Sequence, residues 1–522
     1  MRLENGTISY SPGDLRAFLT CQLATLRGVD ALLGRRVPAV PQPPDVLGDR
    51  LGEAGRAHQD QVRDEFRRRY GDHSPGREGG VLDLGSGGPV TPTAAADAVA
   101  LLGTGPQVVA QVPVAAGRLY GAADYLVRVH DRWQLVEVRL GLRLKDVYLA
   151  QIGALALGLL SRGVALEADA VLATGRGERL PVPLLEAMDR AREVIAALEA
   201  ALDVRLVADA PASWDDDSIA ACGWCPTCQR EMTLARDVRL TAGLRMPDRA
   251  LLRAAGVRTI DQLAVAAGPI EGLDEARFET LRAQARLQVR QLPPGAELDP
   301  SRELPPVFEV YDRSALDALP SPSDGDLFFD FESDPMWDGG DARGLHYLFG
   351  MVLPDARETY LAFWAHDRDA ELAALRDFVR LLTERLVAHP DLHVYHYSSY
   401  EIVVLQEIAK RHGFAEQVVD DWVARGVFVD LLPVVKSSVR TSQPGYGLKK
   451  IEPLYMGDEL RTGTVLDGAA SVAGYERYAE LRRAGQLCRA GDVLAEIADY
   501  NRYDCVSTLR LRDWLLRLRD AR

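Results

Sequence analysis

Asp330 and Glu332 stand two residues apart in an apolar run, Leu327-Phe328-Phe329-Asp330-Phe331-Glu332. In an extended strand, residues i and i+2 point to the same face. Two carboxylates on one face beside buried aromatics are costly unless a cation neutralises them. Divalent ions do so, and a pair of them about 4 Å apart cleaves phosphodiesters by clamping the attacking and leaving oxygens. Two more acidic signatures follow in order. Glu401 closes the segment His396-Tyr397-Ser398-Ser399-Tyr400-Glu401, and Asp504 closes Tyr500-Asn501-Arg502-Tyr503-Asp504. The second lies on a stretch with helical patterning, residues 492–517, where spacing i, i+4 puts Tyr500 and Asp504 on one face. Asp430, after Val427-Phe428-Val429, is a further acidic candidate of lower rank.

A second constellation lies in the first half of the chain. Cys222, Cys225 and Cys228 fall within seven residues, and Cys21 could supply a fourth thiolate. Four thiolates suit an iron–sulfur cluster or zinc. Joining them would close a loop of about 200 residues and couple metal binding to folding. Cys488 and Cys505 have no such neighbours and read as buried small hydrophobes. Between the cysteines come His58 on a helical segment, Asp124 and Glu137 on strand-like runs, Arg139 two residues on, and Gln151 opening a helix.

The elements that must hold these groups divide the 522 residues into three units and a linker. Residues 1–235 mix helical and hairpin patterns, with strand-like runs at 108–114, 119–129 and 133–140. Residues 236–290 read as helices only: two short helices about the turn Gly256-Val257-Arg258-Thr259, then one carrying Arg282, Arg286 and Arg290 as a basic stripe. Residues 291–325, with Pro293, Pro294, Pro300, Pro305, Pro306, Pro320 and Pro322, read as an extended linker with at most one short helix. Residues 326–522 open with three strands, then a helix over 370–388, a strand over 392–397 and a helix from about Ser399. That is the order of a ribonuclease H-like α/β domain.

Composition narrows the function. A net charge of −15 argues against nonspecific coating of nucleic acid, so any such contact needs a local basic groove. Only five of the 61 basic residues are lysine: Lys145, Lys410, Lys436, Lys449 and Lys450. Arginine at a given site therefore says little, and a lysine says more. Lys449 and Lys450 are candidates for phosphate contact. No Gly-Lys dipeptide occurs, so a nucleotide-binding loop of the NTPase type is excluded and ATP is not expected. The first twenty residues are too polar for a signal peptide, and the apolar run 147–160, containing Gln151, reads as a core helix rather than a membrane span. A cytoplasmic protein with reduced cysteines is the expectation.

The segment 396–405 resembles the second motif of DnaQ-like 3′–5′ exonucleases, with Tyr397, Tyr400 and Glu401 where Asn, Phe and Asp are usual. Tyr500 and Asp504 match the third motif of the tyrosine-type members. The resemblance implies Asp330, Glu332, Glu401 and Asp504 as ligands of magnesium or manganese, with Tyr500 orienting the attacking water. The order His58, Asp124, Glu137-x-Arg139, Gln151, flanked by one early and three late cysteines, resembles RecB-type nucleases of the PD-(D/E)XK class, over about residues 10–235. That family has a restriction-endonuclease-like fold and a [4Fe–4S] cluster as a staple, with zinc as the alternative. Asp124 and Glu137 would be its metal ligands. Arg139 stands where that family carries lysine; arginine stays protonated and could hold transition-state charge but hardly activate water. Lys145, six residues on, is the nearest lysine.

Together these resemblances imply an α/β multidomain chain. It has a RecB-type domain (1–235), a helix–hairpin–helix-like segment that guides DNA through backbone contacts (236–290), the linker (291–325) and a ribonuclease H-like exonuclease domain (326–522). The expected activity is metal-dependent trimming of DNA ends, single-stranded and 3′ to 5′, in repair or recombination, with a separate helicase as partner. A catalytically degenerate DNA-binding adaptor and an RNA-processing exonuclease are the alternatives.

Overall fold

The computed structural model describes residues 1–36, 46–85, 90–291, 306–338, 343–459, 465 and 467–521. It divides into two units, Met1–Leu234 and Ala235–Arg522.

In the first unit the strand-like runs become a six-stranded sheet. Its order is Val81–Asp83, Val108–Ala116, Leu119–Val129, Arg132–Arg139, Asp169–Thr174, Arg179–Pro183. The three long strands form an antiparallel meander, and Arg132–Arg139 then pairs in parallel with Asp169–Thr174. A parallel neighbour needs a crossover, and the helix Asp146–Ser161 supplies it. That helix is apolar on nearly every side because it is buried on both: Ile152, Leu155 and Leu159 pack on the sheet, and the helix Leu184–Val207 covers it from behind. Gly153 makes the second contact feasible, since a Cβ there would lie 1.9 Å from the Ala187 carbonyl oxygen. Val62 and Phe66, on the helix Val46–Tyr70, cover the other face against Tyr125, Val136 and Val138. Strand pairing is interrupted at Gln111, whose φ of +55° lies opposite Asp124.

The second unit begins with the helices Met246–Ala254, Ile260–Val265 and Glu275–Gln291. Arg249 makes a buried two-nitrogen ion pair with Asp237 that fixes their entry. The linker prolines 293, 294, 300 and 305 lie outside the described residues. Beyond them the chain is more ordered than a linker: Phe308–Val310 forms a strand against Val439–Thr441, and Ser314–Asp317 a helical turn. The linker reading missed this strand, whose partner Val439–Thr441 lies about 130 residues on in the sequence.

The main sheet of this unit has the order Tyr360–Trp364, Arg343–Val352, Leu327–Asp338, Val394–His396, Phe428–Asp430. The first three strands are antiparallel, and the last two join in parallel. This is the α/β order expected from the sequence. Along the central strand, Phe329 and Phe331 turn toward Phe378 on the helix Arg368–Ala388. Phe328, Asp330 and Glu332 turn the other way, toward the helix Leu487–Asp520. A register shift between Glu332 and Ser333 bends the strand just past the two acids. No helix among the described residues is long and apolar enough to cross a membrane.

Candidate metal centre

Among the described residues, two sets of His, Cys, Asp or Glu place ligand atoms all within 4.8 Å of one another. One is Asp330, Glu332 and Asp504; the other is Cys21, Cys222, Cys225 and Cys228.

The acidic set is built by one strand and one helix. Asp330 and Glu332 share a face through the two-residue repeat of the strand, and Asp504 arrives on the buried face of Leu487–Asp520. Asn501, one helical turn before Asp504, knits the two elements together. Its amide nitrogen donates to Asp330 at 2.7 Å and reaches toward Glu332 at 3.5 Å, while its carbonyl oxygen accepts from the Tyr360 hydroxyl at 2.8 Å. Gly350 pairs with Asp330 across the sheet, and a Cβ there would fall 1.5 Å from the Asn501 oxygen. Neither Asn501 nor Gly350 was singled out from the sequence.

The electrostatics ask for a cation. Burial, then the charges of Asp504, Glu332 and Glu401, raise the Asp330 carboxyl well above its ordinary value. Burial chiefly pushes Glu332 up to about 8; Asp504 adds to this, and hydrogen bonds from Ser471 and Asn501 with the Lys449 charge oppose it. Three carboxylates so close cannot all ionise without a partner, and a set of hard oxygen donors is what magnesium or manganese takes. The residues present therefore fit the implied ions.

The other residues expected at this site are placed as follows. Tyr500 is buried, and its hydroxyl accepts a hydrogen bond from Lys449 Nζ at 3.0 Å, with that ammonium 5.0 Å from the ring centre. Glu401 is buried but stands outside the acidic set: its carboxylate lies 3.3 Å from His396 Nδ1. That nitrogen also faces the Ser398 carbonyl oxygen at 2.6 Å, so it carries a proton and donates. Asp430 is a cap, accepting from the backbone N–H groups of Ser398 and Leu432, both at 2.9 Å. A cavity of about 580 Å³ opens beside Asp330 and Asp504. Three of the five lysines, Lys436, Lys449 and Lys450, line it, with Tyr397 and Tyr446.

In the first unit the expected group comes together differently. Asp124 and Glu137 are buried, and Arg139 bridges them, one guanidinium nitrogen 2.9 Å from Asp124 and the other 2.8 Å from Glu137. Backbone N–H groups complete the knot: Asp124 donates to Glu137, and Val138 donates to Asp124. Burial, with the Asp124 charge, raises Glu137 to about 8 against the pull of Arg139. Gln59, which the sequence did not flag, donates to Asp124 at 3.0 Å. His58 is buried on a separate cavity of about 420 Å³ with Gln61, Glu65 and Arg179. Gln151 donates to the Pro12 carbonyl at 2.9 Å. Lys145 caps the crossover helix with its ammonium 5.9 Å from the Tyr148 ring centre. An arginine spanning both acids occupies the ground a divalent ion would need, so this pair as it stands does not fit a metal.

The helical segment and the two remaining cysteines are placed as follows. The amides of the 256–259 turn are already used: Gly256 and Val257 donate to Arg253 and Leu252, and Arg258 and Thr259 both donate to the Gln262 side chain. Thr259 followed three residues later by Gln262 is a capping box, a signal readable in the sequence. Within the supposed basic stripe, Arg282 and Arg286 donate to the carbonyls of Ala266 and Ala264. Of the two remaining cysteines, Cys505 is buried as expected, but Cys488 is exposed.

The cysteine set has Cys21 at the start of the helix Gln22–Leu32 and the other three in and just before the helix Pro226–Leu234. Sulfur–sulfur separations are 3.6 Å for Cys21–Cys228 and 3.8 Å for both Cys222–Cys228 and Cys21–Cys225.

A comparison with curated proteins finds no match. Residues 327–516 match the family model of the ribonuclease H superfamily, a span that contains Asp330, Glu332, Glu401, Tyr500 and Asp504 and supports a ribonuclease H-like, nuclease-type fold for that part of the second unit.

Proposed function

We propose that the protein is a magnesium- or manganese-dependent exonuclease that trims single-stranded DNA from the 3′ end, and that the second unit does the cutting. The observation that carries this reading is the convergence of Asp330, Glu332 and Asp504 beside a lysine-lined cavity. Divalent ions held by these three carboxylates would act as Lewis acids and lower the pKa of water. The protein groups do the rest. Asn501 fixes the direction of the Asp330 carboxylate. Tyr500, held by Lys449, offers a hydroxyl oxygen that orients water. Lys436, Lys449 and Lys450 offset phosphate charge, and the rings of Tyr397 and Tyr446 suit a base. Glu401 acts from a distance, through its charge and through His396.

The first unit is read as RecB-like; its antiparallel meander, which carries Asp124 and Glu137, and the parallel strand that follows the crossover helix support that reading. With Arg139 between the acids, its proposed role is to hold the strand, not to cut it.

The test uses the full chain with end-labelled single-stranded DNA and RNA of one sequence, in Mg²⁺ or EDTA. Wild type and Glu137→Ala should release nucleotides from DNA with metal, and Asp330→Ala should not. Loss in Glu137→Ala alone reverses the assignment of the two units. Binding without cutting by wild type favours an adaptor, and faster release from RNA moves the substrate class.

A further inference from the structure

The resemblance of the first unit implies a [4Fe–4S] cluster on its four cysteines. We propose instead that these cysteines hold a single zinc ion, independently of whether either unit cuts nucleic acid. The argument starts from sulfur spacing. In a tetrahedral tetrathiolate with bonds of about 2.3 Å, the sulfurs stand about 3.8 Å apart, an edge set by geometry alone. Here three of the separations are 3.6, 3.8 and 3.8 Å, and all four sulfurs lie within 4.8 Å of one another. In a cubane each thiolate is bound to a different iron at a different corner, which forces the four sulfurs well beyond the spacing they would have around one shared ion. The present arrangement has no room for four irons and four sulfides between the thiolates.

Backbone and side-chain contacts around the cysteines hold this spacing. The sequence closes the loop through Gln22, which donates from its N–H to the Ala220 carbonyl and accepts from the Ala220 N–H, both at 2.9 Å. Arg27 pairs with Glu231 at 3.1 Å, tying the two cysteine-bearing helices side by side. Asp30, fully buried, accepts from Arg35, Arg205 and the Ala212 N–H and pins the approach to the cysteine loop. Four backbone N–H groups point at sulfur: Ala24 at Cys21, Trp224 and Cys225 at Cys222, and Cys228 at Cys225, at 3.3 to 3.5 Å. Such donors stabilise thiolates, and so do the starts of the two helices that meet there. Four thiolates this close repel unless a cation sits among them, and a d¹⁰ ion with no geometric preference of its own suits a closed tetrahedral sulfur site.

The experiment is metal analysis of the full-length chain, purified anaerobically from cells given both iron and zinc. The expected result is about one zinc per chain with no acid-labile sulfide and no visible iron–sulfur absorption, and replacement by cobalt should give the visible bands of a tetrahedral tetrathiolate. Cys225→Ser should lose the ion and Cys488→Ser should keep it. Should Cys225→Ser fail to fold, titration of native wild type with a thiol-blocking mercurial, with zinc release followed by a chromogenic chelator, reads the same site. Iron in place of zinc, no bound metal, or zinc that survives both treatments overturns the proposal.

Discussion

Asn501 donates its side-chain amide to the Asp330 carboxylate at 2.7 Å, across 171 residues of sequence. The Tyr360 hydroxyl fixes which way the amide faces, and Gly350 leaves the space it fills. Removing the amide frees the acid to turn and leaves the Tyr360 hydroxyl without its acceptor. Asn501→Ala should therefore lower nucleotide release by roughly 10–100-fold, the usual cost of losing a group that orients a metal ligand. Gly350→Ala should do the same by displacing Asn501, with no change to any acid. Single-turnover release from labelled DNA checks both, and wild-type rates in either variant would remove Asn501 from the account.

Lys449 and Tyr500 are expected to act as one unit. The ammonium donates to the phenol oxygen at 3.0 Å, so the charge of Lys449 and the position of the hydroxyl are set together. Tyr500→Phe should cost at least about 100-fold in rate, the scale of a well-placed proton-handling group. Lys449→Met should cost less, about tenfold, and should add little on top of Tyr500→Phe, because residues that act together are not additive. Full additivity in the double variant would mean that Lys449 serves phosphate alone.

The acidic set should make the metal-free protein sensitive to pH. Asp330 and Glu332 have raised carboxyl pKa values in the folded chain, Glu332 up to about 8 from 4.5. Both are neutral below the unfolded value and cost nothing there. As pH rises from about 4.5 through about 8, the folded chain must give up protons that the unfolded chain has already lost, and stability falls. Divalent metal needs the ionised form, so its affinity should rise across the same window and binding should release protons. Thermal melts of metal-free protein over that range, and Mg²⁺ titration calorimetry in two buffers of different ionisation enthalpy, check it. Asp330→Asn should flatten the melting trend while abolishing cutting.

The parts of this site that were legible in sequence rest on short-range periodicity. Asp330 with Glu332, and Tyr500 with Asp504, follow from repeats of two and four, which a strand and a helix turn into shared faces. Asn501 sits among the same residues and stayed hidden, because its partner lies in another element and no spacing rule links them. For Glu401 the charge was visible but its direction was not; the turn through Ser398, at φ +123°, aims the side chain at His396. The 256–259 turn was read for its shape, while its capping box, equally present in the sequence, had already committed the amides.

Arg139 shows a different limit. Sequence reveals an arginine where a lysine is usual, but not that its two nitrogens divide between Asp124 and Glu137. A single cation on two buried acids is a compromise: burial first, then the Asp124 charge, keeps Glu137 raised in spite of Arg139. Arg139→Ala should thus do two things that a passive surface arginine would not. At neutral pH it should destabilise the first unit by about 3–5 kcal/mol, the cost of orphaning one side of a buried ion pair. Manganese should then bind between the freed acids and restore much of that loss, whereas wild type should gain nothing there. Melting curves with and without manganese, in an Asp330→Ala background to silence the other centre, give the comparison. A manganese response in wild type as large as in the variant, or none in the variant, would mean that Arg139 does not hold the place of an ion.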